Sequence, residues 1–128
     1  MDPVEYVLDQ LSAGLLEKAE TSPDGRAMQR LDFGHSTLQL MAIGFAQGAV
    51  LPQHENPGEA VLQVLHGTIV LTSDAPRTVN GRELQGGQSI EANPGLLVRI
   101  PDARHRVEAL EPSVILLTAV SLPGAGTQ

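Results

Sequence analysis

Four histidines carry most of the chemistry open to this chain: His35, His54, His66 and His105. A neutral imidazole donates and accepts hydrogen bonds, titrates near pH 7 and ligates transition metals. Such groups can hold an ion, orient a bound carboxylate or act as a general base. Three of them lie in two stretches rich in turn residues. The first is Gly48-Ala-Val-Leu-Pro-Gln-His54-Glu-Asn56-Pro-Gly-Glu-Ala60-Val-Leu-Gln63-Val-Leu-His66-Gly67. The second is Gly95-Leu-Leu-Val-Arg-Ile-Pro101-Asp-Ala-Arg-His105-Arg-Val-Glu-Ala109. Other chemistries find no support. The chain has no cysteine, which excludes a thiol nucleophile, a disulfide framework and a Cys-based zinc site. Asp74 and Asp102 fall in turns with no basis for pairing to a histidine. No phosphate loop or nucleotide-binding glycine pattern occurs.

The two stretches resemble the signature motifs of the cupins, small β-barrels that often hold one metal ion. The first cupin motif reads Gly, five residues, His, one residue, His, three or four residues, Glu, six residues, Gly. Gly48, His54, Asn56, Ala60 and Gly67 stand at its marked positions, so the spacing is kept while the second His and the Glu are replaced. The second motif reads Gly, five residues, Pro, one residue, Gly, two residues, His, three residues, Asn. Gly95 and Pro101 fit it, Ala103 replaces Gly, His105 arrives one residue early and Ala109 replaces Asn. The resemblance covers about 26–120. It implies an all-β, cupin-type β-barrel (a double-stranded β-helix or jelly roll), preceded here by one N-terminal α-helix.

The same resemblance implies the site. His54 and His105 match metal-ligand positions, Asn56 matches one with a weaker neutral donor, and Ala60 matches the Glu position with nothing. Among stand-ins, Glu59 is one residue off and on a strand faces the other way. His66 shares the parity of Ala60, Leu62 and Val64 and is the best third ligand. One divalent transition metal (Fe, Mn, Ni or Zn) held by His54, His105 and His66 is therefore one expectation, and no metal is the other. Without a metal, His54, Asn56 and His105 would orient a small apolar or weakly acidic ligand. Gln63 is a further candidate contact, because a polar residue facing a core must find a partner. The functions that follow, in order, are a small-molecule-binding cupin, a metal-dependent enzyme of dioxygenase or isomerase type, and a dimerising scaffold or sensory module.

Composition sets the bounds. A chain of 128 residues is one domain by size. Thirteen glycines and nine prolines supply the turns that an all-β domain needs. Trp is absent, and one Tyr and two Phe leave an aliphatic core. Eight basic against fifteen acidic residues give a net charge of −7, which disfavours nucleic acid, where binding neutralises phosphates. Asp2 and Glu5 stand where a signal peptide would carry basic residues, and no apolar run is long enough to span a bilayer. A cytoplasmic protein with no membrane partner is the expectation.

The elements that must position the histidines follow from periodicity. Residues 2–19 read as a helix, with Asp2 as N-cap, Pro3 at the first position and Glu5 closing a capping box. Val4, Val7, Leu8, Leu11, Leu15 and Leu16 form its apolar stripe. Thr21–Gly25 is a linker, so 1–25 is a helix and linker, 26–121 a barrel and 122–128 a tail. Strands are predicted at 26–33, 37–46, 49–53, 60–66, 68–73, 77–80, 87–92, 96–100, 104–110 and 113–120. Asn80-Gly81 marks a tight hairpin. The runs 38–45 and 114–120 are apolar on both faces, whereas a half-exposed strand alternates. Their outer faces need cover, from the helix and from a second subunit, so a homodimer is expected.

Overall fold

The computed structural model describes residues 2–54, 58–73, 77–84, 89–100 and 105–121. Its elements are helix α1 (Leu8–Thr21) and strands β1 (Arg26–Leu31), β2 (Leu38–Phe45), β3 (Val50–His54), β4 (Gly58–His66), β5 (Ile69–Ser73), β6 (Arg77–Val79), β7 (Arg82–Leu84), β8 (Ser89–Ala92), β9 (Leu97–Ile100), β10 (His105–Ala109) and β11 (Ser113–Ser121). A five-stranded sheet in the order β1-β2-β11-β4-β9 faces a four-stranded sheet in the order β3-β10-β5-β8. All pairs are antiparallel. The expected tail at 122–128 lies outside the described residues.

The core sits between the sheets. Alternate residues of each strand turn inward, and Phe45, Ile43, Leu62, Leu71, Val107 and Ile115 are buried there together. The β6–β7 hairpin turns at Asn80 and Gly81, with φ of 50° and 82°. Positive φ at both central residues is what a tight hairpin requires, and Asn-Gly supplies it with least strain.

Helix α1 packs on the outside of the five-stranded sheet. Leu15 is buried against Ala42 and Val114, with Leu11, Leu16, Ala27 and Leu65 around them. Gly44 makes this close approach possible, since a Cβ there would lie 2.7 Å from the carbonyl oxygen of Leu15. That neighbour is backbone, so the helix would have to move. Gly44→Ala should destabilise the fold by about 1–3 kcal/mol, the usual cost of overpacking. The denaturant midpoint measures it.

The start of the helix corrects the sequence expectation. Residues 2–7 are not helical, the N-cap is Val7 and it has no side-chain cap bond. Tyr6 explains the difference. Its hydroxyl accepts the N–H of Asp32 at 2.9 Å, and its ring meets Phe33 edge-on at 5.3 Å. This contact, made 26 residues away, pins the leading segment to the chain just beyond β1 and prevails over local capping signals.

The linker after the helix is fixed by Asp24. Its carboxylate accepts the Ser22 hydroxyl at 2.7 Å, the Arg26 N–H at 3.1 Å and the Arg26 guanidinium at 3.0 Å. The Ser22 bond first, then the Arg26 N–H, hold its pKa below the ordinary value. A lowered carboxylate pKa contributes stability above the unfolded value and loses it as pH falls through the folded one. The carboxylate is exposed, so the contribution is small.

Candidate functional site

The site is built where β3, β10 and β5 run side by side at one end of the barrel. His105 opens β10 and is 3 % exposed. It shares parity with Val107 and Ala109, which face the core. His105 therefore faces the barrel interior. Its register partner on one side is His54, and on the other Ser73. Directly opposed residues of an antiparallel pair have Cα atoms about 4.5–5.5 Å apart.

A bulge sets this register. Val107 pairs with Leu51, whereas His105 pairs with His54, so β3 has one residue more than β10 over the same span. Pro52 lies in that extra length. Proline has no N–H to give a ladder and collects at bulges and edges. Without the bulge, position 53 would stand opposite His105.

The facing wall is different in kind. Ala60 is in register with Ile100 on one side and Ala119 on the other. Ala60 packs on the core, as do Ile100, Leu117 and Met41. Gln39 pairs with Ala119 at the rim and is exposed. Thus one wall offers imidazole and hydroxyl, and the other offers methyl and methylene groups.

The remaining sequence candidates do not join them. Asn56 lies outside the described residues. Gln63 is exposed on the outer face, because its neighbours Leu62 and Val64 both turn into the core. His66 is a further correction. The register slips between Val114 and Ile115, where Val114 pairs with His66 but Ile115 pairs with Val64. This second bulge breaks the parity that put His66 with Ala60, and His66 is exposed. It also sits at the wrong end, just before β5 begins opposite Ala109. From Ala109 to His105 is four residues, about 13 Å of strand. Ser73 is the residue that sequence reasoning missed. Its signal was parity, since Ile69 and Leu71 are buried four and two residues before it.

Among the described residues, no group of three His, Cys, Asp or Glu is placed to hold a metal ion. A divalent transition ion wants three or four protein ligands. Position 60 supplies no donor atom, and His66 is at the far end. The residues described do not make that ligand set. What the arrangement can do is hold a polar group between donor and acceptor while its remainder lies on an aliphatic wall. Elsewhere the charged residues are ordinary. Arg106 and Glu108 pair at 3.4 Å on the outer face.

No protein-family model and no curated protein matches the sequence. Solved structures do. A cupin superfamily protein from Desulfitobacterium hafniense is 19 % identical, with 94 % of each chain covered and a TM-score of 0.67. KdgF from Halomonas sp. is 20 % identical over 80 % of this chain and 84 % of its own, with a TM-score of 0.61. Oxalate oxidase in complex with glycolate is 20 % identical over 81 % of this chain and 55 % of its own, with a TM-score of 0.60. These likenesses concern fold. Two antiparallel sheets closed around an aliphatic core, with one helix outside, and three such neighbours lead to one conclusion: the chain has the cupin fold, an all-β jelly-roll barrel with an N-terminal α-helix.

Proposed function

We propose that this chain is a small-molecule-binding cupin whose barrel works without a complete metal site. One observation carries the reading. His105 is buried inside an aliphatic barrel, between Ser73 and position 54, and the facing wall has Ala60 where the cupin resemblance calls for a carboxylate. A ligand with one polar, weakly acidic end and an apolar body matches both walls. The polar end lies along His105 and Ser73, and the body lies on Ala60, Ile100 and Ala119. Nucleic acid remains a poor partner at a net charge of −7. No described helix is long and apolar enough to cross a membrane.

The metal-dependent enzyme is the second reading. The likeness to oxalate oxidase supports it. Elemental analysis of tag-free protein purified without chelator separates the two. The binding reading expects well under one metal equivalent per chain, even after incubation with Fe, Mn, Ni and Zn in turn. A stoichiometric metal would put the enzyme first. Thermal melts with a panel of short-chain and aromatic carboxylic acids then test the ligand class. A ligand at about 100 times its Kd stabilises by about 2.7 kcal/mol, which is about 10 °C for a domain of this size. His105→Gln keeps most of the side-chain volume and should remove that shift. An unchanged shift would take His105 out of the site.

A further inference from the structure

Rows of paired residues cross the inward face of the five-stranded sheet. One row runs from β9 to β1 as Val98, Leu62, Leu117, Met41 and Arg30. The next row towards the site runs as Ile100, Ala60, Ala119 and Gln39. Directly opposed residues of an antiparallel pair share a face. Two aliphatic rows therefore end in polar groups, Arg30 and Gln39, on the side of the sheet that carries the core. Both are exposed.

The cover of the core stops between β2 and β1. Ile43 on β2 is 1 % exposed, whereas Met28, its partner on β1, is 54 % exposed. Strand β1 thus forms a ledge on the flank of the barrel, where the aliphatic floor meets water. Among the described residues of the two inward faces, the only Arg, Lys, Asp or Glu are Arg26 and Arg30. Asp24 holds the Arg26 guanidinium at 3.0 Å. Arg30 forms no ion pair among the described residues. Diagonal neighbours on a sheet lie about 7–8 Å apart, within reach of long side chains, so Arg30 and Gln39 can meet one ligand group.

We propose that Arg30 and Gln39 form an anion subsite, and that the ligand is acidic at both ends, a short linear dicarboxylate. The subsite rests on the reading of the barrel as a binding site. One end of the ligand lies at His105 and Ser73, the body crosses Ala60 and Ala119, and the second carboxylate meets Arg30. A guanidinium takes a carboxylate through two parallel N–H bonds, and the Gln39 amide donates a third. A chain of net charge −7 repels acids in general, so the counter-charge must be local. From β1 to β4 is three strand spacings, about 14 Å, and the Arg30 side chain can span part of it, which suits a body of about six carbons.

Titrations of the full chain with adipate and with hexanoate, followed by NMR, test this. Both acids offer a carboxylate to His105, and only adipate offers one to Arg30. The wild type should bind adipate roughly 10- to 100-fold more tightly than hexanoate, the worth of a hydrogen-bonded charge pair. Arg30→Gln should bring the two affinities together by weakening adipate alone. Arg106→Gln removes the same charge from the outer face and should keep the preference. Arg30 is exposed, so the Arg30→Gln melt should stay close to wild type. Hexanoate binding with no preference for adipate would overturn the subsite and leave the binding reading in place. So would a preference that survives Arg30→Gln. Binding of neither acid would overturn both.

Discussion

Gly67→Ala should cost the fold about 4 kcal/mol and lower its melting temperature by well over 10 °C. Two penalties add. Gly67 has φ of +82°, a conformation that costs an L-residue about 1–2 kcal/mol. A Cβ at this position would also collide with the Ser113 hydroxyl and the Pro112 carbonyl oxygen. Relieving such a clash costs about 1–3 kcal/mol more. The neighbours cannot yield cheaply. Ser113 is fully buried, and its hydroxyl accepts the Thr68 N–H at 3.1 Å. The same oxygen lies 2.7 Å from the Glu111 carbonyl and 3.2 Å from that of Thr68. Moving Ser113 therefore breaks the tie between the β4–β5 turn and the start of β11. Chemical denaturation reads the loss. A change under 1 kcal/mol would mean that the turn relaxes freely. Gly67→Asn, which tolerates positive φ but keeps the clash, separates the two penalties.

Gly67 was legible in the sequence as the last marked position of the first motif. Its physical role, a left-handed turn pressed against Ser113, was not. The same contrast holds across the chain. Asn80-Gly81 was readable because a tight turn is a local matter of φ. The strands were readable because alternation is local too. The start of the helix was misread because Tyr6 bonds to a residue 26 positions away, and no local signal encodes that. The need to cover strands 38–45 and 114–120 was visible as doubled apolarity, and α1 covers part of it.

The site was less legible than the fold because two bulges decide which residues face one another. Sequence parity groups His66 with Ala60, and a regular ladder would set position 53, not 54, opposite His105. The slip at Leu65–His66 and the extra residue near Pro52 undo both. Pro52 is a hint of the bulge in β3. Nothing in Leu65-His66 announces the one in β4. Ser73 was hidden for a simpler reason, since it closes a strand and reads equally well as the opening of a turn.

Ala60→Glu should give a barrel that takes up a divalent transition ion at close to one equivalent per chain. Position 60 lies on the inward face of β4, half-buried, in register with Ile100 and Ala119. In apo protein a carboxylate there meets hydrocarbon. Burying a charge without a partner raises its pKa and costs stability, several kcal/mol in full burial. The apo variant should therefore melt below wild type, and lower still at high pH, where the carboxylate must ionise. The sign follows from the raised folded-state pKa: the penalty is absent below the unfolded value and grows as pH rises. A metal reverses it. Two imidazole positions in register, 54 and 105, together with one carboxylate form a two-His, one-carboxylate set that suits Fe, Mn, Ni or Zn. An ion bound only by the folded state stabilises it by about 4 kcal/mol at 1,000 times its Kd. The melting temperature should then recover on adding Zn²⁺ or Ni²⁺, and Ala60→Gln should not show the same gain. Metal uptake by the wild type equal to that of Ala60→Glu would show that the barrel already had its ligands. No metal-dependent rise in the variant would show that His54 and His105 do not converge on position 60.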